Sequence, residues 1–319
     1  MDYTQSWKSA LYAAIAGDAL GVPVEHSARH ELTLCSVKNM LGYGRYDQPK
    51  GTWSDDTSMT MCTAEVLIKG YDVEELGRKF CAWIFDGEWT PWGYVFDSGI
   101  TTFTALDKIR NDEVSAKESG GDSEDDNGNG SLMRILPAAL YFADEDIEEY
   151  LKHIHEISAI THAHPRAMMG CGIYACIAKE LLTHDDKVAS FRAGVKKALE
   201  YYQFNETFAP QLRHYGRILS HGVEDIDRQS ISSSGYVVHT LEAALWCFLR
   251  HDNTKDILLE AVNLGLDTDT TGCVAGGLAG LFHGLDGVPD SWLDSLARKE
   301  EIDKTIDLFS QVSASRKRD

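Results

Sequence analysis

Asp267-Thr268-Asp269-Thr270-Thr271-Gly272-Cys273-Val274-Ala275-Gly276-Gly277-Leu278-Ala279-Gly280-Leu281-Phe282-His283 is the stretch on which the fold turns. Its second part has helical spacing, yet glycine stands at 272, 276, 277 and 280, with alanine at 275 and 279. A glycine inside a helix costs about 1 kcal/mol relative to alanine, so several together need a compensating contact. Small residues at i, i+4 and i+8 let a second backbone approach closely, which predicts a central, buried helix over 271–283. The Asp-Thr-Asp-Thr run just ahead of it also reads as ordinary helix-start chemistry, since acids and hydroxyls favour a helix N-terminus.

Outward from this segment, helical spacing dominates. Trp7, Leu11, Ala14 and Ile15 mark a helix ending near Gly17, and Thr57 to Ile68 marks another, stopping at Gly70. Further helices are expected over 73–86, 99–110, 132–142, 146–161, 166–182, 186–202, 237–250, 254–264 and 301–311. Alternating strand patterns with hairpin dipeptides are nearly absent, so the fold class is all-α. No Pro- or Ser-rich linker and no fixed repeat divides the chain, which predicts one multi-helix domain over 1–315. Residues 111–127 read as a solvated acidic loop and 316–319 as a frayed basic tail.

Composition narrows the function. The 30 Lys and Arg face 50 Asp and Glu across 319 residues, a net charge of -20 that repels nucleic-acid phosphates and anionic lipid. Neither nucleic acid nor membrane is an expected partner, and a monomer is expected. The apolar run Val274 to Leu285 is shorter than the roughly 18–20 residues of a membrane span. The N-terminus shows no basic region followed by an apolar one. Seven cysteines, odd in number and without a CxxC, sit mostly in apolar helical context, as in a reduced, cytoplasmic protein.

A second acidic segment resembles the first in kind. Gly51-Thr52-Trp53-Ser54-Asp55-Asp56-Thr57 leads into a helix with Ser54 at the N-cap and both aspartates in the first turn. Taken alone it too reads as helix-start chemistry. If the two segments converge, however, four aspartates without counter-charge repel one another. Mg²⁺ or Mn²⁺, which take carboxylate, hydroxyl and water oxygens, resolve that repulsion, with Ser54 and Thr270 completing the shells.

Other stretches carry weaker signals. Gly128-Asn129-Gly130-Ser131 allows close backbone approach, and with Ser131 capping a following helix its amides suit a diphosphate; it also reads as a plain turn. Arg134 reads as structural, paired with a buried acid. The pairs His153/His155 and His162/His164 do not have zinc-site spacing, since an HxH on a helix points its rings to different faces, and His153, His155 and His164 read as surface or helix-end residues.

These stretches, in order, resemble the ADP-ribosylglycohydrolase family. The matching residues are Gly17-Asp18-Ala19-Leu20-Gly21 with Glu25, Trp53-Ser54-Asp55-Asp56-Thr57, and Gly128-Asn129-Gly130-Ser131-Leu132-Met133-Arg134 with Pro137. They continue with Thr161-His162 and Pro165, Ser234-Gly235-Tyr236-Val237, and Asp267-Thr268-Asp269-Thr270, spanning about residue 10 to 285. The resemblance implies a compact all-α fold with a binuclear Mg²⁺ or Mn²⁺ centre that removes ADP-ribose from modified protein side chains. It implies Ser54, Asp55, Asp56, Asp267, Asp269 and Thr270 as metal ligands. Asp55, Glu25 and, on a looser match, Asp97 are the implied catalytic carboxylates, unranked among themselves. Gly128, Asn129, Gly130, Ser131, His162 and Tyr236 are the implied substrate contacts.

The motif forms resemble the arginine-directed branch more than the serine-directed one, so N-linked ADP-ribosyl-arginine is the expected substrate. Hydrolysis of O-linked serine or poly-ADP-ribose, or ADP-ribose binding without turnover, are the alternatives. Two-metal phosphoryl chemistry would also use paired aspartates, but the all-α pattern and the Gly-Asn-Gly-Ser segment oppose it. No G-x-S-x-G motif supports a serine hydrolase.

Overall fold

The structure is a computed structural model that describes residues 3–220 and 222–316. Among these residues there are fifteen α-helices and no strand. In chain order they are α1 (Thr4–Gly21), α2 (Arg29–Leu34), α3 (Asp55–Lys69), α4 (Val73–Asp86) and α5 (Ile100–Asn111). Next come α6 (Leu136–Tyr141), α7 (Ile147–Ala159), α8 (Pro165–Leu181), α9 (Lys187–Tyr202) and α10 (Gly216–Leu219). The last five are α11 (Val237–Arg250), α12 (Thr254–Val262), α13 (Thr268–His283), α14 (Asp290–Leu293) and α15 (Lys299–Arg316). The expected all-α class is what the chain adopts. No helix among the described residues is long and apolar enough to cross a membrane.

The helices group into two compact units. The first holds the described residues up to Ser58, Val223–Gly235 and those from His239 onward; the second holds Met59–Gly222 and Tyr236–Val238.

The first unit is built on α1 and α13, which run antiparallel in near contact. A Cβ at Gly272, Gly276 or Gly280 would lie 2.5, 2.3 or 2.2 Å from the carbonyl oxygen of Gly17, Ala13 or Ser9. The glycines therefore answer the helix-propensity cost with a backbone-to-backbone interface, in which dispersion and Cα–H···O contacts replace side-chain packing. The expected central helix is present and buried from Thr268 to Leu281. The helix expected to end near Gly17 instead continues to Gly21, because Gly17 and Gly21 are its mating face toward α13 rather than a stop signal. On its other side α1 meets α15 through Trp7 against Phe309, with Tyr12 donating to Asp303 at 2.6 Å.

The second unit centres on α8, packed by α6, α7 and α9. Gly172 and Gly194 make the α8–α9 approach close: a Cβ on Gly172 would sit 1.8 Å from the Tyr202 hydroxyl, and one on Gly194 2.6 Å from Ile177 Cα. Side-chain caps start the helices: Asp72, Asp146, His164 and Asp186 each accept backbone N–H groups of the first turn. His155, expected at a surface or helix end, is buried, with Nε2 2.8 Å from the Tyr202 hydroxyl. The 111–127 stretch is only partly solvated. Asp112, Glu113, Asp122, Glu124 and Asp125 are exposed, but Ala116 and Ser119 are buried, and Ser119 Oγ donates to Ile160 O at 2.8 Å. Of the basic tail, Arg316 ends α15, and the residues from Lys317 lie outside the described residues.

Candidate metal and active site

The first unit brings both acidic segments together. Ser54 and Asp267 occupy the residues just before α3 and α13, so each segment does open a helix, as its local pattern requires. The carboxylates do something other than cap. Asp267 makes no capping bond to α13. Carboxylate oxygens of Glu25, Asp267 and Asp269 lie within 4.8 Å of one another. Alongside them, Asp56 Oδ2 accepts from both Ser54 Oγ and Thr270 Oγ1, each at 3.2 Å, which ties α3 to α13. Asp55 stands in the same first turn of α3 and is buried like its neighbours, whereas Asp267 is half-buried.

Such a set of anions is electrostatically costly. At a separation of 4.8 Å two ionised carboxylates repel by about 3 kcal/mol, taking an effective dielectric near 20. Burial pushes the Asp269 carboxyl well above the usual range, and the charges of Glu25, Asp267, Asp56 and Asp18 raise it further. Either protons or a hard cation must relieve this. Carboxylates with flanking hydroxyls are all-oxygen donors of the kind Mg²⁺ and Mn²⁺ accept, so the donor chemistry fits such ions. Of the residues the sequence reading assigned to metal, the structure gathers Ser54, Asp55, Asp56, Asp267, Asp269 and Thr270 in one unit, with Glu25 among them.

The loop before α13 is shaped to present these groups. Gly265 and Leu266 both have positive φ, at 80° and 61°, and a leucine in that region is a strained exception. Backbone bonds hold it there: Leu266 N–H donates to Ser27 O at 2.8 Å, His26 N–H to Leu266 O at 2.6 Å, and Asp267 N–H to Ser233 O at 2.9 Å. Glu25 is held from the other side by the Tyr46 hydroxyl, which donates to its Oε2. His26 Nδ1 is 3.2 Å from Glu25 Oε1.

Two residues here escaped the sequence reading as actors. Tyr46 follows a Tyr43-Gly44 turn with positive φ at both residues, and no local pattern announces its distant partner. Asp18 was legible as part of a motif only. It is fully buried in an otherwise alanine-rich helix and accepts from Ser54 N–H (2.9 and 3.1 Å), Thr57 N–H (3.0 Å) and Thr57 Oγ1 (2.5 Å). An acid inside Ala-Ala-Ile-Ala-Gly-Asp-Ala-Leu-Gly was itself the signal. Burial raises its carboxyl to about 6 despite these donors.

The remaining candidates belong to the second unit. Asp97 is half-buried in the irregular stretch before α5. Gly128 bridges antiparallel to Tyr236, and Val237 N–H donates to Asn127 O at 3.0 Å. Tyr236 is half-buried, with the Arg166 guanidinium 5.9 Å from its ring centre. The Gly128–Ser131 segment does not open a helix. Residues 131–134 form a turn and α6 starts at Leu136, so Ser131 is no cap and the amides are not those of a helix start. Ser131 is buried, and its Oγ accepts from Ser158 Oγ at 2.8 Å. Gly130 is required by close approach, since a Cβ there would lie 2.9 Å from His162 Cε1.

His162 is buried, its Nδ1 2.7 Å from Thr161 Oγ1. Burial, reinforced by Arg134, drives its pKa down to about 3, so the ring is neutral. Arg134 is fully buried, as a structural residue is, but the partners that hold it are not the expected acid: it donates to Thr161 Oγ1 at 2.8 Å and Ile157 O at 3.2 Å and lies over the Phe80 ring. His164 caps α8, as expected, accepting from Arg166 N–H at 3.1 Å. All seven cysteines are free thiols, and all but Cys35 are buried.

Comparison with known proteins gives the same direction. Over 305 residues the chain is 31% identical to ADP-ribosylarginine hydrolase Tri1 of Serratia proteamaculans (strain 568), covering 92% of this chain and 76% of that one. Over 306 residues it is 29% identical to the ADP-ribosyl-[dinitrogen reductase] glycohydrolase of Rhodospirillum rubrum, covering 93% of each. Human ADP-ribosylhydrolase ARH3 is 24% identical, with 93% and 90% covered. A solved ADP-ribosylglycohydrolase-related protein complex superposes with a TM-score of 0.80 at 27% identity, covering 98% of this chain and 99% of that one. The model of the family described as ADP-ribosylglycohydrolase matches residues 1–318, and the chain belongs to that family.

Proposed function

We propose that the protein is a divalent-metal-dependent hydrolase that releases ADP-ribose from modified protein side chains, and that its linkage is the N-glycosidic bond of ADP-ribosyl-arginine. The observation that carries this reading is the convergence of Glu25, Asp267 and Asp269 beside an Asp56 bridged by Ser54 and Thr270. Hydrolysis of ADP-ribosyl linkages follows from the family; the metal and the arginine linkage are the proposed parts. The linkage is supported by the identity to the Tri1 hydrolase, 31% against 24% for human ARH3.

Ser54, Asp55, Asp56, Asp267, Asp269 and Thr270 would hold two Mg²⁺ or Mn²⁺ ions. When bound, the ions supply Lewis acidity toward sugar hydroxyls and a water of lowered pKa. The protein's own groups do the rest. Glu25, whose Oε2 accepts from the Tyr46 hydroxyl, is a carboxylate suited to accept a ribose hydroxyl or a water proton. We assign Asp55 and Asp97 the same proton-accepting role, with no order among the three carboxylates. Cleavage passes through an oxocarbenium-like sugar, which fixed hydroxyl acceptors stabilise. In the second unit Gly128, Asn129, Gly130, His162 and Tyr236 are proposed as ADP-ribose contacts, the neutral His162 offering a hydrogen bond without competing charge. Ser131 is retained only as a residue that shapes this turn. Free buried thiols agree with a reducing, cytoplasmic location.

The test is release of ADP-ribose from matched peptides carrying it on arginine or on serine. Release from the arginine peptide alone supports the full reading. Release from serine alone overturns the linkage, and release from neither overturns the activity.

A further inference from the structure

The N-terminus of α3 is capped from outside. In an ordinary capping box the N-cap hydroxyl accepts the N3 N–H, and the N3 side chain returns to the N-cap N–H. Here Ser54 is the N-cap and Thr57 is N3, and one carboxylate from α1 takes both N–H groups. Asp18 accepts Ser54 N–H at 2.9 and 3.1 Å and Thr57 N–H at 3.0 Å, with the Thr57 hydroxyl at 2.5 Å. Ser54 Oγ is thereby released from the N3 amide. It keeps a long 3.3 Å contact with Asp56 N–H and points at Asp56 Oδ2, the oxygen that Thr270 Oγ1 also addresses.

The same turn of α1 fixes the other acidic segment. Gly21 packs against the start of α13 so closely that a Cβ would lie 2.3 Å from both Asp269 Cα and N, and Thr268 Oγ1 donates to Gly21 O at 2.8 Å. Gly17 abuts Gly272 in the same way. Asp18 stands between these two glycines, so one helical turn sets the register of α3 by a carboxylate and of α13 by backbone contact.

We infer that Asp18 is a positioning residue of the metal site: by taking the Thr57 N–H that the Ser54 side chain would otherwise accept, it leaves the Ser54 hydroxyl facing Asp56 Oδ2 and a bound cation. This rests on the reading of the α3 and α13 starts as a divalent-cation site. Asp18→Asn is close to isosteric, but turns one acceptor oxygen into a donor facing the amides. Ser54 Oγ is then expected to fall back onto the Thr57 N–H.

The experiment is calorimetric titration of Mn²⁺ into chelator-stripped full-length protein for wild type, Asp18→Asn, Ser54→Ala and the double variant, with circular dichroism to verify helicity. Asp18→Asn is expected to raise the Mn²⁺ Kd about 10-fold or more, the usual effect of losing an outer-shell partner. Ser54→Ala is expected to weaken wild type by a similar factor, yet to change Asp18→Asn by less than about 2-fold, since Ser54 is then already withdrawn. Asp18→Asn with wild-type Mn²⁺ affinity overturns the inference even if the variant melts earlier, and so do effects of the two substitutions that multiply. If Asp18→Asn does not fold, Thr57→Val, which removes only the hydroxyl donor, is expected to raise Kd about 3-fold, and an unchanged Kd overturns the inference. Wild type that binds no Mn²⁺ sinks the cation-site reading itself, and this inference with it.

Discussion

Gly276→Ala would place one methyl group where α13 meets α1. The new Cβ would stand 2.3 Å from Ala13 O, 2.8 Å from Ala13 C and 3.0 Å from Ala14 N, all of them backbone atoms. Ordinary contact begins near 3.4 Å, so the two backbones must part by about 1 Å. Helix propensity favours the substitution by about 1 kcal/mol. Overpacking a tight core costs about 1–3 kcal/mol, and a clash with backbone that no rotamer can relieve belongs at the upper end. The net expectation is a loss of about 2 kcal/mol, or an apparent Tm lower by about 4–8 °C for a cooperative unit of this size. The parting would also shift the start of α13, so Mn²⁺ affinity should fall with stability. Gly216→Ala is the control: nothing lies within 4 Å of its Cβ and its φ is -52°, so propensity alone acts and Tm should hold or rise. Thermal denaturation of both variants, in chelator and in Mn²⁺, reads the difference. A Gly276→Ala protein as stable as wild type would refute the backbone-contact account of the glycine stripe.

Other outcomes follow from the same geometry. Asp55→Ala and Asp269→Ala should abolish turnover and weaken Mn²⁺ binding, whereas the exposed Asp125→Ala should do neither; a fully active Asp269→Ala would remove the binuclear assignment. At neutral pH, Mn²⁺ should raise the Tm of stripped protein because it relieves the repulsion among Glu25, Asp267 and Asp269, and no shift at saturating ion would count against a cation there. His155 and His162, both held neutral by burial with pKa about 3, must charge on unfolding in acid. Their contribution to stability is complete above the unfolded pKa near 6.5 and is lost as pH falls toward 3, by about 1.4 kcal/mol per residue per pH unit. Urea titrations of His155→Gln should show a shallower loss between pH 6 and 5 than wild type; an identical slope would contradict the buried neutral assignment.

Much of this was legible in the sequence where the signal was local and repeated. The glycine and alanine spacing of 272–280 announced a backbone contact, and the two hydroxyl-acid runs announced helix starts. Their purpose was less legible, because Ser54 and Asp267 satisfy capping rules in sequence while their side chains face Asp56, Glu25 and Asp269 in the fold. Long-range partners account for what was missed. Gly17 read as a stop since Gly272 is far away in sequence, and Ser131 read as a cap since Ser158 is. His155 shares a helix face with Leu151, Ile154 and Ser158, so burial could have been read from its spacing. For Tyr46 no such pattern exists; only the folded loop brings it to Glu25.

The most direct test is ADP-ribose release from an arginine-ADP-ribosylated peptide by chelator-stripped protein as Mn²⁺ is returned, for wild type and Asp269→Asn. The account predicts no release in chelator, recovery with added ion for wild type, and none at any concentration for the variant. Full release in chelator, or from Asp269→Asn, would contradict it.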